Sequence, residues 1–296
     1  MPLIYKRTFR VRGYECDTYG HVNHANYLRY MQESALDASA AVGYDEARYQ
    51  QLGHIWLIRE TNIEYLLPLR FGDSVEVTTW VGDFRRVRSR RYYELRNAAS
   101  GELVAKASTD WVYVERRTGH PARVPPEMIA AFAPDGALDD SAARDPFPEA
   151  PAPPPGVFTM RRIAEWRDID SAQHVNNATY LNYMEESGIQ AAKSFGWSMQ
   201  RMQSEGFAIV AREYRIEYRL QVTLGEDLLV TTFLSELRRA SAVRHYLITR
   251  VEDGELIAQA RGLWVFVNLT TGGITRLPAA FLDDFSSHTT AKNENS

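Results

Sequence analysis

From Tyr27 the chain sets Tyr27, Met31, Ser34, Ala38 and Val42 at steps of three and four, then stops at Gly43. That period predicts a helix of roughly four to five turns. Tyr180, Met184, Ser187 and Ala191 repeat the spacing, and Gly196 repeats the stop. Small residues on this face (Ser34, Ala35 and Ala38; Ser187, Gly188 and Ala191) let such a helix sit close on a sheet. Downstream of the first helix, NIEYLLPL, SVEVTTWV, SRRYYELRN and LVAKASTDWVYVERR are rich in Val, Tyr, Thr and Trp. Gly-Asp and Ser-Gly turns separate them, so they predict antiparallel strands. One long helix and an antiparallel sheet make an α+β unit, and the chain asks for it twice.

The duplication keeps a constant offset of 153 residues (170 − 17). It pairs Asp17 with Asp170, His21 with His174, Asn23 with Asn176, Tyr27 with Tyr180 and Glu33 with Glu186. It runs on through RETNIEY and REYRIEY (Arg59 to Tyr65, Arg212 to Tyr218), Gly72 and Gly225, Trp111 and Trp264, to Thr118-Gly119 and Thr271-Gly272. A register held without insertion over this distance means one fold used twice, with too few units for a solenoid. The expected organisation is a first domain over 1–132, a Pro/Ala-rich linker over 133–156, a second domain over 157–285 and a mobile tail over 286–296.

A chain of 296 residues, 45% hydrophobic and 24% charged, can bury two cores. A net charge of -4 argues against a nucleic-acid partner. The single cysteine, Cys16, excludes an intrachain disulfide and a cysteine zinc cluster. Its counterpart is Ile169, which argues against a thiol nucleophile shared by the two copies. The start MPLIYKRTFRVRGYE has no apolar signal core, and no run approaches the ~20 apolar residues of a membrane span. A cytoplasmic protein without membrane association is the expectation.

The stretch VRGYECDTYGHVNHANYLRYMQES resembles the signature of hotdog-fold acyl-CoA thioesterases of the 4-hydroxybenzoyl-CoA thioesterase type. WRDIDSAQHVNNATYLNYMEES resembles that of plant and bacterial acyl-ACP thioesterases. The resemblance covers both repeats and implies two tandem hotdog domains, a double hotdog, in which the sheet wraps the helix and paired hotdogs form sites. It implies hydrolysis of an acyl-CoA or acyl carrier protein thioester, with no cofactor and no metal, and leaves room for a homo-oligomer of double hotdogs.

By spacing alone Asp17 and Asp170 read as turn or capping aspartates; the resemblance reverses this and makes them the bases or nucleophiles. His21 and His174 orient the site or polarise the carbonyl, or are satisfied structural groups. Asn23 and Asn176 read as helix caps. Glu213 aligns with a site carboxylate of the plant enzymes, and Glu60 is its counterpart; both otherwise read as exposed strand residues paired with Arg212 and Arg59. One departure stands out: the plant enzymes have Asn two residues before the histidine, where this chain has Tyr19 and Ala172. Gly20 against Gln173 also separates the copies. The run RRVRSRR, Arg85 to Arg91, suits phosphate or an acidic carrier protein, or is a charged edge strand. A non-catalytic acyl-thioester-binding scaffold is the competing function, and a hotdog dehydratase a more distant one.

Overall fold

The computed structural model describes residues 3–134 and 144–290. It divides into two compact units, Met1–Pro146 and Phe147–Ser296. In unit 1 the order is β1 (Ile4–Arg10), α1 (His24–Ala40), α2 (Glu46–Leu52), β2 (His54–Tyr65), β3 (Ser74–Phe84), β4 (Arg88–Asn97), β5 (Leu103–Glu115) and α3 (Pro126–Phe132). Its strands are antiparallel in the order β1-β3-β4-β5-β2. Unit 2 repeats this with β6 (Phe158–Ile163), α4 (Asn177–Ser194), α5 (Met199–Ser204), β7 (Phe207–Tyr218), β8 (Asp227–Ser235), β9 (Ser241–Arg250), β10 (Leu256–Asn268) and α6 (Ala279–Asp284). Its strand order is β7-β10-β9-β8-β6.

The three-and-four spacing does what it predicts. Tyr27, Met31, Ser34, Ala35 and Ala38 of α1, and Tyr180, Met184, Ser187 and Ala191 of α4, are buried. The helices pack on β1 and β3, and on β6 and β8. Ser34 and Ser187 enter this interface without orphaning a hydroxyl, because each donates to its own helix, at Tyr30 O and Met184 O, 2.8 Å in both. A buried acid ties each helix to the loop before it. Tyr30 donates to Glu15 at 2.7 Å and Tyr183 donates to Asp168 at 2.6 Å.

Several expectations need correction. The strand expected from Asn62 begins at His54 and ends at Tyr65, where Leu66 N and Leu67 N both turn to Val104 O and the one-to-one ladder stops. Glu60 and Glu213 therefore lie in the body of these long strands. The arginine run is not on an edge: β4 lies between β3 and β5. Arg90 forms a two-pronged bond to Asp110 (3.0 and 2.9 Å), and Arg91 is buried. Trp111 and Trp264, whose residue type and place in the repeat suit a core, are half-buried.

The expected linker and tail are partly structural. Arg144 reaches Asp83 at 2.5 Å and Asp110 at 3.3 Å, both buried acids of unit 1. The tail expected from 286 begins as a 3-10 turn, Ser286–His288, and His288 is fully buried in unit 2. Its Nδ1–H donates to Gly156 O (2.7 Å), so Nε2 accepts from the Arg244 guanidinium (3.1 Å) and the ring is neutral. Thr290 N then bonds Leu234 O at 2.9 Å. Residues 135–143 of the expected linker and 291–296 of the expected tail lie outside the described residues.

Candidate active site

Both copies of the D-x-x-x-H-V-N string fold into one turn. The amide of Asp17 bonds His21 O (2.7 Å), and that of Asp170 bonds His174 O (3.0 Å). Gly20 N and Gln173 N return to Asp17 O and Asp170 O, 3.0 Å each. The carboxylates complete the turn: Asp17 Oδ1 accepts from Tyr19 N at 2.8 Å, and Asp170 Oδ1 accepts from Ala172 N at 2.9 Å. The capping-type geometry is therefore present. Because a carboxylate has about four lone-pair sites, one such bond fixes the group without exhausting it.

The next residue but one starts the helix as expected. Asn23 Oδ1 accepts from Ala25 N and Asn176 Oδ1 from Ala178 N, 3.0 Å each. The preceding valines pin the turn to the loop after the long strand, Val22 N to Leu69 O and Val175 N to Val222 O, 2.8 Å each. Tyr65 and Tyr218, the last residues of the R-E-x-x-I-E-Y strings, donate to the first carbonyls of the helices, His24 O (3.0 Å) and Asn177 O (3.2 Å). Sequence reasoning noticed these tyrosines only as repeat markers. It passed over the bracing acids Glu15 and Asp168 altogether, since the two copies use different residue types there.

The turns differ in what surrounds the acid and the histidine. In unit 1 both side-chain bonds land on Asp17 Oδ1, the second from His21 N at 3.2 Å. In unit 2 the two Asp170 oxygens are held separately, Oδ2 by Asn176 Nδ2 at 3.1 Å. Burial pushes both histidines below their usual pKa. For His21 the charge of Arg70 pushes further down, opposed by Asp17. For His174, Asp170 and Glu226 oppose burial, and the position of Arg70 is Thr223. His174 Nδ1 is buried with no hydrogen-bond partner among the described residues. A neutral imidazole with one nitrogen uncommitted is a ready proton acceptor or donor.

Glu60 and Glu213 sit beside the bulges of the long strands, facing Asp110 and Leu263 across their ladders. No hydrogen bond or ion pair joins Asp17 or His21 to Glu60, or Asp170 or His174 to Glu213. Among the described residues no group of three or more His, Cys, Asp and Glu side chains is gathered as a metal ion requires. No helix among them is long and apolar enough to cross a membrane.

Sequence comparison matches residues 2–132 to the acyl-ACP thioesterase N-terminal domain and residues 164–285 to the thioesterase-like superfamily. With both repeats taken up by these two models, the chain belongs to the hotdog-type thioesterases, in a tandem α+β arrangement. A chloroplastic acyl-[acyl-carrier-protein] hydrolase of Cuphea viscosissima is 23% identical over 295 residues, 96% of this chain and 68% of that protein. The 12:0-ACP thioesterase of Umbellularia californica superposes with a TM-score of 0.71 at 22% identity, covering 88% of this chain and 93% of that one. An acyl-ACP thioesterase of Bacteroides thetaiotaomicron gives 0.67 at 16% identity, covering 88% and 97%. At these identities the superpositions speak for the fold.

Proposed function

We propose that this chain hydrolyses acyl thioesters carried by an acyl carrier protein, and that the turn of unit 2 does the chemistry. The names of its relatives favour the carrier protein over coenzyme A. The observation that carries the choice of unit is the contrast between His174, with an uncommitted Nδ1 beside Asp170, and His21, which faces the cation of Arg70.

In this reading Asp170 takes a proton from water as the water oxygen attacks the thioester carbonyl carbon. The N–H of Asn177, the first residue of α4, takes up the charge on the carbonyl oxygen, since Ala178 N and Thr179 N are already held by Asn176. Collapse breaks the C–S bond, and the proton passes to the departing thiolate, with His174 as relay. The products are a free acid and a thiol. Glu213 and Glu60 are given a supporting part: neither is bonded to the acid or the histidine, and Glu213→Gln and Glu60→Gln are expected to cost less than about tenfold in rate.

The experiment is thiol release from a panel of acyl carrier protein and acyl-CoA thioesters of varied chain length. Wild-type turnover with loss in Asp170→Asn supports the reading. An Asp17→Asn, Asp170→Asn double variant that keeps the wild-type rate sinks it, and tight acyl-CoA binding without thiol release selects a scaffold instead.

A further inference from the structure

Among the described residues only two side-chain-bearing positions have left-handed backbone, Gln173 (φ 66°) and Glu236 (φ 49°). A residue with a Cβ is strained there by about 1–2 kcal/mol relative to glycine. Unit 1 shows the relaxed solution, because Gln173 corresponds to Gly20, which has φ 75° and closes the same turn with the same 3.0 Å bond. Unit 2 therefore keeps a strained residue where its own sister copy demonstrates that glycine fits.

The two strained residues differ in what they gain. Glu236 lies 2.7 Å from Arg238 and 3.7 Å from Arg261, so contacts within the chain offset its backbone. Gln173 is exposed, and its carboxamide bonds to no other described residue. No contact among the described residues accounts for it. Its position does: its amide closes onto Asp170 and its carbonyl leads directly into His174. A side chain that strains the fold, contacts solvent and adjoins the acid and histidine is kept for something that arrives from solvent.

We infer that Gln173 is a substrate-recognition residue whose carboxamide pairs with an amide of the pantetheine arm of the thioester; this rests on the thioesterase reading of unit 2. A carboxamide offers one donor pair and one acceptor, the complement of the secondary amides that coenzyme A and carrier protein share in that arm. The acyl chain offers no such partner. The left-handed backbone fixes the direction of the Cα–Cβ bond, and with it the sector of solvent beside His174 that the carboxamide can reach.

The test is Gln173→Gly, with Gln173→Ala as a second variant that keeps the backbone strained. Three quantities are read: thermal stability, hydrolysis of an acyl-pantetheine thioester against the same acyl group on ethanethiol, and binding of a non-hydrolysable S-alkyl pantetheine thioether. Expected are a higher Tm for the glycine variant and a fivefold or greater rise in KM and Kd for the pantetheine ligands in both variants. The loss on the ethanethiol thioester should be clearly smaller than the loss on the pantetheine thioester. Unchanged KM and Kd for the pantetheine ligands overturn the inference, and so does an equal loss on both thioesters, which marks a disturbed turn. If wild type hydrolyses neither thioester, the thioesterase reading fails, while the thioether Kd values still decide whether Gln173 meets pantetheine.

Discussion

The interiors of the two units begin from the same arginine and diverge around it. Arg91 and Arg244 occupy equivalent places on β4 and β9, are buried, and form no ion pair among the described residues. Each donates to an equivalent threonine, Thr79 at 3.3 Å and Thr232 at 3.2 Å. Unit 2 sets His288 on its guanidinium, and the His288 ring packs on Phe285, part of a core that also holds Trp197, Phe207, Phe266 and Phe281. Unit 1 sets Phe132 on its guanidinium, the ring centroid 5.5 Å from the charged carbon, in a core that also holds Tyr44, Tyr49 and Tyr113. Tyr113 stands where unit 2 has Phe266, and its buried hydroxyl bonds to none of the described residues. The aromatic cluster at the C-terminal end of unit 2 is apolar-tipped and lies against a neutral histidine, whereas the matching cluster of unit 1 carries three tyrosines. Duplication therefore let the interior change while the turn and helix start stayed fixed, and the chemical differences concentrate at a few exchanged residues.

The largest test of this contrast is catalytic. Asp170→Asn is expected to lower kcat by about a thousandfold, while Asp17→Asn lowers it by less than about threefold, in the thiol-release assay. Equal losses would erase the functional distinction between the units. Next, Phe285→Ala should cost about 3–5 kcal/mol in denaturant unfolding, because Phe285 is fully buried and stacks on Phe281 at 4.3 Å. A cost under about 1 kcal/mol would mean that the C-terminal aromatics do not build the unit 2 core.

Acid supplies the third test. Burial, reinforced by Arg244, pushes His288 down to about 4, and burial likewise pushes His245 to about 4. A histidine whose folded pKa lies below its unfolded value near 6.5 contributes stability that is full above pH 6.5 and lost as pH falls through 4. Each ring is worth on the order of 3 kcal/mol across that window. The described core of unit 1 has no such buried histidine, so unit 2 should unfold first on acidification, read by hydrogen exchange of β9 against β4. His288→Gln should flatten the pH dependence of unit 2, and an unaltered slope would show that His288 is already charged when folded. The smallest effect is Tyr113→Phe, expected to raise stability by about 1 kcal/mol by removing an unpaired buried hydroxyl. A loss instead would reveal a partner for that hydroxyl.

The helix pair, the repeat and the asparagine caps were legible because residue type and spacing determine them locally. The short helices were not read, although α2 carries usable signals: Asp45 accepts from Arg48 N at 2.8 Å, and Gly53 stops the helix at φ 68°. At seven residues it has too few turns for a periodic pattern to stand out. The early part of β2 was missed because a bulge between Ile58 and Glu60 breaks the alternation. The arginine run was misread for a different reason. Strand order is a long-range property, and nothing within Arg85 to Arg91 says that β3 and β5 flank it. At the site, the acids, histidines and caps could be picked out by type, whereas which acids bond to one another depends on the path of the strands. The strained backbone of Gln173 became visible only beside Gly20, once the same turn had been seen twice.

Arg144 bears on where the gene can be cut. Composition alone invites a boundary near Phe132, before the Pro/Ala-rich stretch. A fragment ended there would retain Asp83 and Asp110 in the sheet of unit 1 and discard the cation that bridges them. Two enclosed anions would then share only Arg90 and the more distant Arg85. Domain swaps and split-protein fusions should therefore carry the first unit through Pro146, so that the segment joining the copies is inherited as part of the first.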